Sequence, residues 1–408
     1  MLRACVAFVA LVGFVATASA ADPDPKSLVV PPEDLSKARE LVQKLGSESY
    51  TDRETAERGL MEMGRAARAV LLDAVNLDAD PEVRARASRL LPKANALEMK
   101  ARLDTFLADT DSKYEHDLPG WNRLRGVVRG EWKIMGWTFR ARTDAATDKA
   151  ARELFIEFFQ APGGRVLMTA VDGPAGDLAN LVSTRKQELY NMRFGRPTGG
   201  PARQATVGEV AAVMFADALS GGKGAARTNT FATVLSTSGF TQASQGTDGR
   251  AVAMRALLSA WIDTRTDPYE MYSAMTMATN AQNDAAAGRL AVRLLGAAGG
   301  PALYRGYAFT TLIRIGSKDH LPAIEKLIGD EAMVTRMAIN GKVQTITVGD
   351  LALAAAALLT GQKLDTYHIE DRLKGSASTV TSYNRYSIPE DKRKEAAAKW
   401  KEWREKNP

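Results

Sequence analysis

The chain has 408 residues, 45% of them hydrophobic and 25% charged, and 54 Lys+Arg against 48 Asp+Glu give a formal charge of +6. That balance excludes a collagen, a polytopic membrane protein and a chain too polar to bury a core. Scarcity sets a second bound on chemistry: there is one cysteine and there are three histidines.

The first 20 residues read as an export signal. Arg3 is the positive n-region, Ala4 to Val15 is an apolar run broken only by Gly13, and Ala18-Ser19-Ala20 is a small-residue cleavage site. The run falls short of the roughly 20 residues that span a bilayer. Cleavage after Ala20 removes Arg3 and Cys5, leaving 388 residues of the 408, no cysteine and a charge of +5. Such a chain has no disulfides and depends on its core. The expected location is periplasmic or extracellular, with no stable membrane insertion. The apolar run from Leu351 to Leu359 is far too short to span.

Residues 21–34 read as a Pro-rich linker, since proline lacks a donor and biases its neighbour away from helix. Residues 35–98 read as N-terminal helical repeats. Leu35, Ala38, Leu41, Val42 and Leu45 follow 3/4 spacing, and Gly46 reads as a stop. Arg53, Ala56 and Leu60 recur 31 residues later as Arg84, Ala87 and Leu91. This R-x2-A-x3-L pattern puts the small residue and the leucine one turn apart on one helical face. Gly64 closes the first of these helices, a second runs over 65–75, and Asp80-Pro81 opens the third. The pattern returns at Arg250, Ala253 and Leu257, and at Arg305, Ala308 and Leu312, where Gly316 follows Leu312 as Gly64 follows Leu60. A hairpin of this length cannot bury its apolar face alone and stacks on copies of itself.

The segment 45–91 resembles the HEAT-like repeats of exported bacterial proteins. Pieces at 118–128, 150–159, 206–219, 348–362 and 392–403 are similar to one group of these proteins. The resemblance implies an all-α, HEAT-like solenoid of helical hairpins with a scaffold or interaction role, and it implies no catalytic residue. The expected order is an irregular helical middle over 99–282, C-terminal HEAT-like helices over 283–363, a polar loop over 364–388 and a C-terminal helix over 389–408.

In the middle, Leu154, Phe155, Phe158 and Phe159 form one helical face, and Leu178, Leu181, Val182, Leu189 and Met192 another. The segment 129–140 (RGEWKIMGWTFR) fits neither period and stands between a small β hairpin and a loop. The helix beginning near Val348 is apolar nearly all round, the pattern of a helix buried between layers.

Catalytic groups are few. His116, His320 and His368 show no HExxH spacing and no second histidine within a turn. A cysteine-free mature chain excludes thiol catalysis and thiolate-held metal. Asp109-x-Asp111-x-Lys113 begins like a calcium loop and breaks at Lys113 and Tyr114. Ser183-Thr184-Arg185-Lys186 matches S-x-x-K without its partner motifs and reads as a solvated turn of helix. GGKGAART at 221–228 lacks phosphate-loop spacing. No catalytic, metal or cofactor residue is assigned, and the chain reads as non-enzymatic.

The candidate binding feature is Trp121, Trp132 and Trp137 beside Arg125. It reads either as an aromatic and cationic surface for a sugar or peptide, or as packing at an irregular corner. The expected function is an exported, non-catalytic scaffold for a protein or peptide partner, without nucleic acid. The alternatives are an exported hydrolase with an unrecognised Asp/Glu or Ser site, and a basic structural protein that binds envelope polymer.

Overall fold

A computed structural model describes residues 21–130, 132–134, 137–139, 144–194, 204–222, 231, 234–235, 239–297, 299–339, 342–373 and 382–407. The export signal expected at 1–20 and most of the glycine-rich stretch at 221–228 lie outside them. The fold is all-α, with three two-stranded antiparallel ladders among the described residues. The chain divides into two compact units, one ending at Leu118 and the other beginning at Pro119.

The first unit is two helical hairpins: α1 (Pro32–Lys44) with α2 (Tyr50–Met63), and α3 (Arg68–Leu77) with α4 (Pro81–Ala108). Ser49 and Asp80 cap α2 and α4 by accepting N–H bonds from Asp52 and Glu82, which satisfies donors the helix start would otherwise leave open. Ala38, Val42, Ala56, Leu60, Ala87 and Leu90 interlock in one core. The repeated arginine has a specific task. Arg53 Nη1 donates to the carbonyls of Ser47 and Glu48 at 2.7 and 2.9 Å. Arg84 Nη1 donates to those of Asp78 and Ala79 at the same distances. Each guanidinium therefore ties down the loop that precedes its own helix.

Three sequence expectations change in this unit. Leu90, not Leu91, enters the core of the second copy, and Leu91 is only half-buried. Gly46 does not end α1 through a left-handed turn. It leaves room instead, since a Cβ there would sit 2.7 Å from Asp80 Oδ2. Finally, α4 does not stop at 98: it runs through Pro92 to Ala108. Gly64 does take a positive φ, +58°, and its N–H bonds Leu60 O, as expected of a helix stop.

The second unit gathers helices around two buried ones. Around α9 (Val207–Leu219) pack α6 (Ala145–Gln160), α7 (Gly164–Val171), α8 (Ala175–Phe194) and α11 (Gly249–Asp263); α5 (Trp121–Arg129) lies against α6 and α11, and the short α10 (Phe240–Ala243) against α9. The faces expected at 154–159 and 178–192 point inward, with Phe155, Phe158, Val182 and Leu189 fully covered. Further along come α12 (Pro268–Asn280), α13 (Asp284–Gly296) and α14 (Ala302–Ile315), each packed on the next, and α15 (Leu321–Glu325) packed on α13; then α16 (Val348–Leu359) against α14 and α15, and α17 (Arg393–Lys406) against α16. Gly316 ends α14 at φ +76°, its N–H on Leu312 O, matching Gly64.

The two buried helices share one construction. Thr206-Val207-Gly208-Glu209 and Thr347-Val348-Gly349-Asp350 each close a capping box. Each helix then ends on a hydroxyl residue and a glycine with φ near +70°, Ser220-Gly221 and Thr360-Gly361. Gly349 has a steric reason: a Cβ there would lie 2.8 Å from Gly329 N and 3.0 Å from Asp330 N. The apolar run from Leu351 to Leu359 is accordingly a core helix, and no helix among the described residues is long and apolar enough to cross a membrane.

Strands appear where helices or loops were expected. The hairpin of β1 (Trp132–Ile134) and β2 (Trp137–Phe139) settles 129–140 in favour of the hairpin. Within 283–363, β3 (Met333–Ile339) and β4 (Lys342–Thr347) pair antiparallel, with Ile339 opposite Lys342. The Asn340-Gly341 dipeptide between them is the residue pair that two-residue hairpins favour, so the signal was present in the sequence. The segment 364–388 is not simply a polar loop. There β5 (Glu370–Asp371) pairs with β6 (Tyr386–Ser387), and Tyr367, Ile369, Tyr386 and Ile388 are buried.

Candidate functional site

Trp121 does not contribute to the exposed surface that the composition suggested. Trp121 opens α5 and is only 3% exposed. Its ring packs on Phe155 at 5.4 Å, with the Arg152 guanidinium 5.6 Å from its centre. It is core, so the packed-corner alternative describes Trp121. Arg125 is half-buried on the same helix. Trp132 and Trp137 sit on the β1–β2 ladder, and their side chains lie outside the described residues. Trp121 is therefore not part of an exposed binding surface.

A different aromatic group is. Tyr269 and Tyr272 on α12, Tyr304 and Tyr307 on α14, and Tyr383 form a continuous ridge. Tyr272 stacks on Tyr304 at 5.0 Å with planes 5° apart, and Tyr269 meets Tyr304 at 6.0 Å. Tyr272 also meets Tyr307 at 4.8 Å, and Tyr307 meets Tyr383 at 4.9 Å. The ridge thus holds five of the ten tyrosines in the chain. Its rings are half-buried, with Tyr269 the most open at 38%. Burial, reinforced by the neighbouring phenol Tyr272, pushes Tyr307 up to about 12, and burial raises Tyr304 as well, so both hydroxyls stay protonated donors. Tyrosine offers contact area, rigidity and a polar tip together, the combination enriched at protein interfaces. The sequence signal is Y-x-x-Y at 269–272 repeated at 304–307, 35 residues apart, one helical-hairpin repeat.

Beneath the start of α12 lies a buried charge cluster. Asp217 Oδ2 accepts from Trp261 Nε1 at 2.7 Å and pairs with Lys186 Nζ at 2.7 Å and Arg265 Nη1 at 3.1 Å. All three charged side chains are fully buried. The lysine contact is an ion pair without a directional hydrogen bond. Arg265 also lies over the Trp261 ring at 4.6 Å and 3.5 Å from Glu270 Oε2. Burial drives Lys186 below its ordinary value, and burial raises Glu270. Lys186 is the lysine of the S-x-x-K match, so its reading as a solvated turn is overturned. The helical face predicted at 178–192 is wide enough to turn the lysine inward, and Asp217 on α9 receives it.

Asp109, His116 and His368 each contact a structural partner. Asp109, the head of the failed calcium loop, accepts the N–H groups of Lys113 and Tyr114 and contacts His116 Nε2 at 3.0 Å. His368 contacts Glu395 at 2.9 Å and Lys399 at 2.9 Å. His320 precedes α15 without capping it through its side chain, and its Nε2 lies against Gly288. A cleft of about 120 Å3 collects Asp330, Glu331, Asp350, Arg393 and Lys394. Burial pushes Asp350 up against the opposing pull of Arg393. Both its oxygens are engaged, Oδ1 by Arg393 Nε at 2.9 Å and Oδ2 by Arg393 Nη2 and the Thr347 N–H, each at 3.1 Å. Among the described residues no three His, Cys, Asp or Glu side chains converge as a metal site. Comparison with protein-family models, curated proteins and solved structures finds no match.

Proposed function

We propose that this chain is an exported, non-catalytic scaffold of HEAT-like helical hairpins that holds a protein or peptide partner on its tyrosine ridge. The observation that carries the reading is the ridge itself. Rings from two hairpins, one repeat apart, are stacked so that little side-chain freedom remains to be lost on binding. Export rests on the leader-like segment at 1–20, and the HEAT-like assignment rests on the R-x2-A-x3-L pattern with its loop-clamping arginines. A hydrolase would need uncommitted acid–base groups, whereas Asp350 and Asp217 are each held by cations.

The test is affinity capture from cell-envelope extract with the wild-type chain and with a Tyr272→Ala/Tyr304→Ala variant whose circular dichroism matches it. A reproducible partner lost at least tenfold by the variant supports the reading. A partner retained in full by the variant removes the ridge from it, and a wild type that captures no reproducible partner removes the scaffold.

A further inference from the structure

The first unit carries a pocket of about 230 Å3 that the scaffold reading does not use. Pro25 and Leu28 of the N-terminal segment form an apolar wall, and Glu98, Arg102, His116 and Asp117 line the rest. The apolar wall is anchored, since Arg65 Nη1 donates to Leu28 O at 2.7 Å.

His116 is the informative residue. It is 5% exposed, its ring edge-packed against Phe106, and its Nε2 lies 3.0 Å from Asp109 Oδ2. The Asp109 carboxylate is an acceptor, already taking two backbone N–H groups, so Nε2 carries the ring proton and Nδ1 the lone pair. Nδ1 has no protein partner among the described residues. Glu98 is similar: its Oε1 accepts from Arg102 Nε at 2.9 Å, while its Oε2 has only Arg65 at 3.8 Å, beyond hydrogen-bond reach. Two acceptors lacking donors thus belong to residues lining one pocket. Around them stand three carboxylates, Asp109, Glu98 and Asp117, against two guanidiniums, Arg65 and Arg102, a balance of −1 among these five groups.

Acceptors without donors, a negative balance and an apolar wall together select a cationic donor on an apolar body. The geometry points to a binding site for a small primary ammonium, either a free alkylamine or the amino terminus of a peptide. Its N–H groups donate to His116 Nδ1 and Glu98 Oε2, and its apolar body rests on Pro25 and Leu28. This site is independent of the tyrosine ridge and stands or falls without it.

The experiment titrates the 15N-labelled full-length chain with n-butylammonium and follows the His116 ring nitrogens by NMR, with n-butyrate and 1-butanol as comparisons. Expected is a saturable shift of Nδ1 with butylammonium and at least tenfold weaker responses to the other two. Glu98→Gln lowers butylammonium affinity about tenfold while its thermal unfolding stays at the wild-type temperature. A Val-Ala amide with a free amino terminus, set against its N-acetylated form, separates the sources. Tighter binding than butylammonium assigns the site to peptide termini; equal or weaker binding assigns it to free amines. The proposal is overturned if butyrate binds as well as butylammonium, if the folded chain gives no saturable response to either ammonium, or if Glu98→Gln leaves affinity unchanged.

Discussion

Asp217 supplies a sharp test of how the second unit is held together. Its Oδ2 serves Lys186, Arg265 and Trp261 at 2.7 to 3.1 Å, so one carboxylate balances two fully buried cations. Asp217→Asn keeps the shape and deletes the charge, leaving both cations to Glu270, which approaches Arg265 only to 3.5 Å. Removing one partner of a buried ion pair costs about 3–5 kcal/mol, because the other charge stays desolvated. Lys186→Met is the contrasting change. It keeps an apolar stem of similar length and leaves Asp217 matched one to one with Arg265, so its cost stays within about 1 kcal/mol or becomes a gain.

Thermal unfolding followed by circular dichroism and by tryptophan fluorescence measures both variants. At about 2 °C per kcal/mol for a unit of this size, Asp217→Asn lowers Tm by roughly 6–10 °C. The sign of the pH dependence follows from Lys186, whose folded-state value is depressed below the ordinary 10.5. Between those two values the unfolded chain binds a proton that the folded chain does not, so stability rises with pH across that window. Lys186→Met abolishes that rise. Equal losses in the two variants, or an alkaline rise that survives Lys186→Met, would refute this account of the cluster.

Three further outcomes are expected. Gly349→Ala pushes a methyl against the backbone of Gly329 and Asp330 and costs about 1–3 kcal/mol, whereas Gly208→Ala, which meets a Glu157 side chain, costs less; urea midpoints compare them. Arg84→Met removes two charge-assisted bonds to the Asp78 and Ala79 carbonyls, and hydrogen exchange shows faster opening of that loop with a stability loss of about 1–2 kcal/mol. Glu395 is held down to about 2 by hydrogen bonds from Lys399, His368 and Lys392. Its contribution is therefore present above the ordinary 4.5 and is lost as pH falls toward 2. Glu395→Gln flattens that acid limb in Trp400 and Trp403 fluorescence, and an unchanged limb would remove Glu395 from the docking of α17.

Much of the architecture was legible locally. Helical periodicity located the faces at 154–159 and 178–192, and the recurring arginine, alanine and glycine located the hairpins of the first unit, because each of those signals is satisfied within one helix and its adjoining turn. The β3–β4 hairpin was also legible through Asn340-Gly341, yet it was absorbed into an expected run of helices. The site was less legible. Tryptophan abundance pointed to Trp121, but exposure is not a local property: Phe155 and Arg152, distant in sequence, cover that ring.

The sequence by itself determined the helical class, the hairpin repeat and the shortage of histidine and cysteine, since composition and spacing act over a few turns of chain. Only the tertiary structure decided that Lys186 turns inward onto Asp217, that His116 lines a pocket walled by Pro25 and Leu28, and that two Y-x-x-Y turns stack into one ridge. In each case the deciding quantity is the desolvation or contact one element imposes on another, and no window of sequence contains both partners.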